Sequence, residues 1–170
     1  MAGIENPSFS LIDHNGNEVS ESSFSGSWLM VYFGFTHCRV VCPRSLARLS
    51  AVLDALPQEA VDAIEPLYIS VDPERDLPDV MKRYLEDQYP RFRGLTGTPT
   101  QVEAAKASFK VFAERKIDAE DPDGYAMPHT SFTYLIDPKG IYVTHWVETK
   151  SEHDIISDIE KRLLQAELAS

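Results

Sequence analysis

Cys38 and Cys42 are the two cysteines of the 170-residue chain, and they lie four residues apart in FGFTHCRVVCP. Residues i and i+4 of a helix point the same way, with Cα atoms roughly 6 Å apart. That separation is near the upper end of the range that a disulfide spans. Two thiolates on one ion fit it equally well, and soft sulfur ligands favour Cu(I) or Zn²⁺ over Mg²⁺ or Ca²⁺. Spacing alone therefore permits a redox pair, a structural bridge or part of a metal site.

The cysteines stand where a buried strand is predicted to meet a helix. Residues 28–35, WLMVYFGF, form the dense apolar run of a central strand that is covered on both faces. Pro43 suits a first helical turn. A helix start carries partial positive charge and free N–H groups, which favour a thiolate, and Arg39 adds charge of the same sign. We therefore expect chemically active cysteines. The helix that follows should bury a row of apolar residues: Leu46, Leu49, Val52, Leu53 and Leu56.

The remaining patterns predict an alternation of strands and helices. In chain order we expect a hairpin, a strand, a helix, a strand, two helices, two strands and a last helix. Residues 114–128 are polar and turn-rich, so we expect a loop or a loose hairpin there. The hairpin is assigned to FSLIDHNGNEVS and the second strand to residues 66–72. The next two helices are DLPDVMKRYLEDQ and a capping-box helix from Thr98 to about Ala113. The last two strands are TSFTYLID and IYVTHWV, and Ser151 and Asp154 cap the final helix.

This order of elements defines a fold class. Strand–helix–strand units imply a parallel core, and the closing hairpin makes the sheet mixed. The expected fold is therefore α/β: a thioredoxin-like mixed sheet flanked by helices, with an N-terminal hairpin extension. We expect a single domain over residues 1–170, with its core at about 9–164. In such open sheets functional sites lie beyond the carboxyl ends of the strands, which is where the cysteines fall.

A metal site would need a further ligand from elsewhere in the chain. A structural zinc site takes four protein ligands, whereas Cu(I) accepts two or three. His129 immediately precedes the strand TSFTYLID, and in thioredoxin-like folds the residues that enter this strand lie against the active-site helix. The alternative is a histidine at a strand entrance with no ligand. The other histidines are predicted at a solvent-exposed hairpin tip, beside Cys38, in a late strand and facing water in the last helix: His14, His37, His145 and His153.

Composition removes several classes of function. The formal net charge of −11 argues against a nucleic-acid binder, because phosphate binding needs clustered Lys and Arg. Two cysteines cannot build the disulfide framework of a small secreted protein. The apolar run WLMVYFGF is far shorter than the ~20 residues that a membrane span requires, and MAGIENPSF shows no signal peptide.

Four separated motifs occur together: YFGFTHCRVVCP, SVDPERD, GLTGT and HTSFTYLIDPKG. In order and distance they resemble the Sco/SenC family of thioredoxin-fold copper-binding proteins, over about Phe9 to Leu164. The resemblance implies copper, as Cu(I) or Cu(II), on Cys38, Cys42 and His129. It implies a metallochaperone that delivers copper to the CuA centre of cytochrome c oxidase or keeps that centre's cysteines reduced. The implied partner is the CuA-bearing subunit or another copper protein.

The resemblance also implies a location. Family members are tethered by an N-terminal membrane helix, with the soluble domain in the periplasm or the mitochondrial intermembrane space. We therefore expect this chain to be the soluble domain of a protein that is anchored in its full-length form, on the periplasmic face of the inner membrane or in the intermembrane space.

Three positions near the predicted site depart from the family pattern. The usual loop CPDVC is CRVVC here, so that Arg39 replaces a proline and Val40 an aspartate. Pro128 stands where the family places an aspartate before the histidine, and a cis Met127–Pro128 bond is one expectation for it. The local field should therefore be more positive than is usual in the family. Asp72 of SVDPERD is a further candidate beside the site; its alternative role is to cap the turn after the strand.

Other functions are alternatives to the copper-binding hypothesis. The main alternative is a thiol–disulfide oxidoreductase that acts through Cys38 and Cys42 without a metal, so enzymatic activity stays open. A peroxiredoxin-type peroxidase fits poorly, because Thr36 precedes Cys38 by two residues rather than three. A degenerate family member that only binds a partner protein is a further alternative. A metal-binding role for His129 would favour the copper-binding hypothesis, because a thiol–disulfide oxidoreductase does not need this histidine.

Overall fold

The computed structural model describes residues 4, 6–36, 41–111, 116–117, 125–126 and 132–169. The strands are β1 Ser10–Asp13, β2 Glu18–Ser20, β3 Trp28–Gly34, β4 Ile64–Ser70, β5 Arg93–Thr96, β6 Lys116–Ile117, β7 Tyr125–Ala126, β8 Phe132–Ile136 and β9 Tyr142–Val147. The helices are α1 Val41–Ala55, α2 Gln58–Asp62, α3 Pro78–Gln88, α4 Pro99–Phe109 and α5 Glu152–Ala169. A 3₁₀ turn, Glu21–Phe24, joins β2 to β3.

A mixed seven-stranded sheet organises the described part of the chain, in the order β2-β1-β5-β4-β3-β8-β9. Strand β3 runs parallel to β4, and β4 runs parallel to β5. Strands β8 and β9 add to the other side of β3 as an antiparallel pair, and β1 runs antiparallel to β5. The predicted parallel core, closing hairpin and N-terminal hairpin are confirmed.

Strand β3 is buried along its whole length, as its apolar run predicted. Its side chains alternate between two cores because successive residues point to opposite faces of a sheet. Met30 and Tyr32 belong to a core that α1, α3 and α5 cover, whereas Val31 and Phe33 belong to a core that α4 covers. Helices on both faces leave the ends of the parallel strands as the accessible edges of this part of the sheet.

Helix α1 packs on β3 through the predicted row of apolar residues. Leu46, Leu49, Val52 and Leu53 are all buried. Helix α5 covers the same face through Ile155 and Ile159, and the backbone N–H of Asp154 donates to Ser151 Oγ at 3.1 Å, which confirms the predicted cap. Leu164, expected at the edge of that buried face, is exposed. Among the helices of the described residues, none has both the length and the apolar character to span a membrane.

Some predicted boundaries are wrong, and two elements were not predicted. Strand β4 spans 64–70 rather than 66–72. Helix α1 begins at Val41, so Pro43 lies in its first turn as predicted. The capping box of α4 forms as predicted, but the helix ends at Phe109, because Lys110 adopts left-handed backbone angles that close the last turn. Strands β6 and β7 pair as the predicted loose hairpin.

The two elements that the sequence did not predict are α2 and β5. Strand β5 holds Gly94, a poor strand former, and pairing with β4 and β1 supplies the order that local propensity does not. The glycine allows close approach of a helix: a Cβ there would lie 2.9 Å from Leu85 Cδ1 of α3. Close packing, and not the local sequence, thus decides this strand.

A matched pair of Leu→Ala variants tests how α1 is held. Leu49 is 0% exposed and Leu164 is 57% exposed. We expect Leu49→Ala to lower the free energy of unfolding by about 2–5 kcal/mol, because it leaves a cavity beneath α1. Leu164→Ala should change it little. Urea unfolding measures both, and equal losses would contradict this packing.

Candidate metal centre

In the chain, the segment with the predicted cysteine pair follows β3 and leads into α1. Cys42 is the second residue of α1, so its backbone lies in the first turn of that helix. The chain leaves β3 at Gly34 and is described through Phe35 and Thr36. Cys38, Arg39, Pro128 and His129, with the Met127–Pro128 bond, lie outside the described residues. Their predicted roles therefore stay predictions.

Strand β8 begins at the same edge of the sheet. It runs antiparallel to β3, and the register pairs Tyr32 with Thr133. The first residue of β8, Phe132, thus lies beside the end of β3 where the chain leaves for α1. His129 precedes Phe132 by three residues. The topology therefore brings the start of α1, which holds Cys42, and the start of β8 to one edge of the sheet.

The end of β4 supplies the polar side of this edge. The N–H of Val71 donates to the carbonyl of Gly34 at 2.8 Å, which holds the ends of β3 and β4 together. The carbonyl of Asp72 accepts from the backbone N–H groups of Arg75 and Asp76, which forms the turn of residues 71–77 between β4 and α3. We call this segment the β4–α3 turn.

Asp72, the predicted neighbour of the site, is buried in that turn. Its carboxylate accepts a hydrogen bond from Arg75 Nε, and both side chains are largely removed from solvent. Its main-chain carbonyl organises the turn, which agrees with the alternative role of a strand-end aspartate. A place beside the metal stays a prediction for Asp72, since the residues it would face are not described.

Asp76 is a residue of this edge that the sequence did not reveal. It is fully buried. Its Oδ2 accepts from the backbone N–H of Thr36 at 3.1 Å and from Ser70 Oγ at 2.8 Å. Its Oδ1 lies 2.5 Å from Thr36 Oγ1. The one available signal was the second aspartate of SVDPERD, four residues after Asp72.

Burial raises the pKa of Asp76, and the charge of Asp72 acts in the same direction. The hydrogen bonds from Thr36 and Ser70 oppose this rise, because they stabilise the carboxylate form. A carboxyl group with a raised pKa and three defined donors is typical of functional sites, where burial and neighbouring charge are set by the surrounding structure.

Arg75 holds the residue before Thr36. Its guanidinium carbon lies 5.6 Å from the centroid of the Phe35 ring, within the range of a cation–π contact. Phe35 and Thr36 are therefore each contacted by a different residue of the β4–α3 turn. These are the last described residues before Cys38.

A row of tyrosine rings packs in the same core as the buried face of α1. The rings of Tyr32 and Tyr68 stack at 6.2 Å, and Tyr84 follows at 6.3 Å from Tyr68. Tyr89 extends the row, and its hydroxyl donates a long hydrogen bond, 3.4 Å, to the carbonyl of Pro43 in the first turn of α1. The first turn of α1 is thus tied to the end of α3.

The described histidines outside the predicted ligand set have structural partners or face solvent. His14 was expected in solvent, but it is half-buried: its Nδ1 accepts from the N–H of Gly94 at 3.1 Å, and burial lowers its pKa. His145 lies 2.5 Å from the hydroxyl of Tyr142 through Nδ1, in line with the structural role expected for it, and burial lowers its pKa as well. His153 is exposed, as predicted. Within the described ranges no cluster of three or more His, Cys, Asp or Glu could hold a metal.

The SCO1/SenC family model matches residues 2–164 of the chain. The chain belongs to the SCO1/SenC family. A curated relative of this SCO1/SenC chain is the mitochondrial SCO2 homolog of Danio rerio, 36% identical over 156 residues, which are 91% of the chain. The chain spans 56% of the length of that relative.

Solved structures of other family members share the fold. ScoI of Bradyrhizobium japonicum, determined with copper bound, is 36% identical, with a TM-score of 0.81 over 92% of this chain and 98% of ScoI. BsSco, described as a member of the Sco family of cytochrome c oxidase assembly proteins with a disulfide switch, is 27% identical, with a TM-score of 0.71 over 94% of each chain. The thioredoxin-like fold expected from the sequence is confirmed.

The buried pair of the β4–α3 turn can be tested against an exposed pair of the same type. Arg75 and Asp72 are 6% and 2% exposed, whereas Arg83 and Asp79 of α3 are 77% and 76% exposed. Asp72→Asn should cost about 3–5 kcal/mol of unfolding free energy, because it removes the charge that balances a buried guanidinium. Asp79→Asn should leave stability near wild type. Thermal and urea unfolding measure both; similar effects of the two variants would contradict the burial.

Proposed function

We propose that this protein binds copper and serves the assembly of cytochrome c oxidase, by delivering copper to the CuA centre or by keeping that centre's cysteines reduced. One observation carries the proposal: the first turn of α1, with Cys42, and the start of β8, which follows His129, lie at one edge of the sheet. The match over 92% of the chain to ScoI, whose structure has copper bound, supports copper as the ligand.

The proposed ligands are Cys38, Cys42 and His129. Two thiolates and an imidazole form a donor set that suits copper, since soft sulfur ligands select Cu(I) and imidazole also binds Cu(II). Copper is cargo in this function, so a set of three ligands that leaves room for an acceptor's ligand is an advantage. The N-terminus of α1 favours the thiolate form, and copper binding then displaces fewer protons.

The thiol–disulfide alternative without a metal is not favoured, because the similar ScoI structure holds copper. Redox chemistry of the same pair remains part of the proposal. A Cys38–Cys42 disulfide would remove both thiolate ligands, so the redox state of the pair would control copper loading. The disulfide switch described for BsSco is consistent with such control.

The proposed partner is the CuA-bearing subunit of cytochrome c oxidase. The proposed place of action is the periplasmic face of the inner membrane or the mitochondrial intermembrane space. The Danio rerio relative is named as a mitochondrial protein, which supports a compartment connected with respiration.

His129→Ala tests the ligand set. The reduced protein is titrated anaerobically with Cu(I) in competition with a chromophoric chelator, and with Cu(II) while the thiolate-to-copper absorption band is recorded. We expect at least a roughly tenfold loss of affinity and an altered band, because even residues behind a metal ligand contribute 10–100-fold. His153→Ala, at an exposed position of α5, is the matched control. Unchanged copper binding by a folded His129→Ala protein would exclude His129 as a ligand.

Arg39→Pro and Arg39→Gln test the altered loop. Both remove a cation between the proposed ligands, and we expect Cu(II) to bind about tenfold more tightly at low ionic strength. The gain should shrink with added salt, which separates a charge effect from a change of loop conformation. Arg44→Gln, on the exposed surface of α1, serves as the control for net charge. Equal Cu(II) affinities of the parent and both Arg39 variants would refute the electrostatic account.

A further inference from the structure

Two consecutive residues of the chain that leads to Cys38 are held by two consecutive residues of the β4–α3 turn. Arg75 lies over the ring of Phe35, and Asp76 binds both the main chain and the side chain of Thr36. Because Thr36 precedes Cys38 by two residues, these contacts hold the main chain immediately before the cysteine segment.

The hydrogen bonds around Asp76 have defined directions. Ser70 Oγ accepts from the backbone N–H of Asp72 at 2.9 Å, so the hydroxyl proton of Ser70 is directed to Asp76 Oδ2 at 2.8 Å. The N–H of Thr36 can only donate, and it also reaches Oδ2. Oδ2 is therefore an acceptor in this arrangement, and the main chain at Thr36 is attached to it.

The complete burial of the Asp76 side chain raises the question of what this carboxyl group does there. In the described part of the chain its partners are three neutral donors, while the nearby cation Arg75 pairs with Asp72. A buried carboxyl group without a cation lowers stability relative to an apolar residue of similar size. A carboxylate at this position does what an apolar residue cannot do: it accepts hydrogen bonds from the N–H and the hydroxyl of Thr36 at once.

We propose that Asp76 is a positioning residue for the cysteine pair: through Thr36 it fixes the point from which the Cys38 loop starts, relative to Cys42 in α1. The inference deepens the proposed function and, for copper, rests on it. Asp76 is not proposed as a ligand. Its effect is to restrict the backbone before Cys38, so that two thiolates meet one ion or each other with less loss of chain entropy.

The test compares Asp76→Asn and Thr36→Val with the conservative Thr36→Ser. Asp76→Asn keeps the shape but replaces one acceptor by a donor, Thr36→Val removes the hydroxyl bond, and Thr36→Ser keeps it. Asp79→Asn, exposed and three residues away, is the matched control. Copper affinity of the reduced protein, the dissociation rate and the Cu(II) absorption band are measured below the unfolding range of every variant.

We expect Asp76→Asn and Thr36→Val to bind Cu(I) roughly tenfold more weakly, which corresponds to ordering about one more residue of backbone on binding. Copper should dissociate faster and the Cu(II) band should shift, while Thr36→Ser and Asp79→Asn behave as wild type. A purely structural role would lower the unfolding midpoint and leave affinity and spectrum of the folded protein unchanged, and that result would overturn the proposal. Should Asp76→Asn not fold, Thr36→Val with its Thr36→Ser rescue decides.

A second measurement needs no copper and separates this inference from the proposed function. The reduced protein is equilibrated with oxidised and reduced glutathione; one oxidised glutathione yields two reduced molecules for each Cys38–Cys42 disulfide formed. If the parent binds no copper, the proposed function fails, and the glutathione equilibrium still tests Asp76. A change of the equilibrium constant of roughly tenfold in Asp76→Asn and Thr36→Val supports positioning of the pair, and an unchanged constant refutes it.

Discussion

Strand β3 is buried on both faces, and this burial governs how the other elements are arranged. Its residues supply both cores, so helices must cover both sides of the sheet. Backbone groups of a strand buried in this way are satisfied by neighbours, and β4 and β8 provide them. At the carboxyl end of β3 the chain continues through Phe35 and Thr36 toward Cys38 and α1.

Attachment at that end is polar, although the two cores are apolar. Hydrophobic packing alone cannot orient the chain that leaves β3, because packing is not directional. Hydrogen bonds from Thr36 to Asp76 and the contact of Arg75 with Phe35 supply direction. Buried polar groups of this kind lower stability when they are left unpaired, so a complete set specifies one position for Thr36. The β4–α3 turn thus holds the chain at the point where it leaves β3 toward Cys38.

The sequence between the two cysteines differs in charge from the chain as a whole. The protein has a formal net charge of −11, yet the loop between the cysteines holds Arg39 and lacks the acidic residue that the family pattern places there. Nearby positive charge favours the thiolate form of cysteine, which assists copper binding. The same charge repels a bound cation, which opposes copper binding. Cu(I) brings one charge and Cu(II) two, so the loop sequence bears on which oxidation state is held.

Periodicity and capping residues are local signals, and from them the sequence predicts the fold class, the central strand, the packed face of α1 and the caps of α4 and α5. The same signals place Cys42 at the start of the helix that follows the central strand. The sequence also carries the motifs by which the family is identified. Tertiary structure alone decided β5, which forms by pairing with its neighbours, and the burial of His14 against Gly94. It alone showed that Asp76 holds Thr36, since these residues are forty positions apart and meet only because β3 and β4 lie side by side.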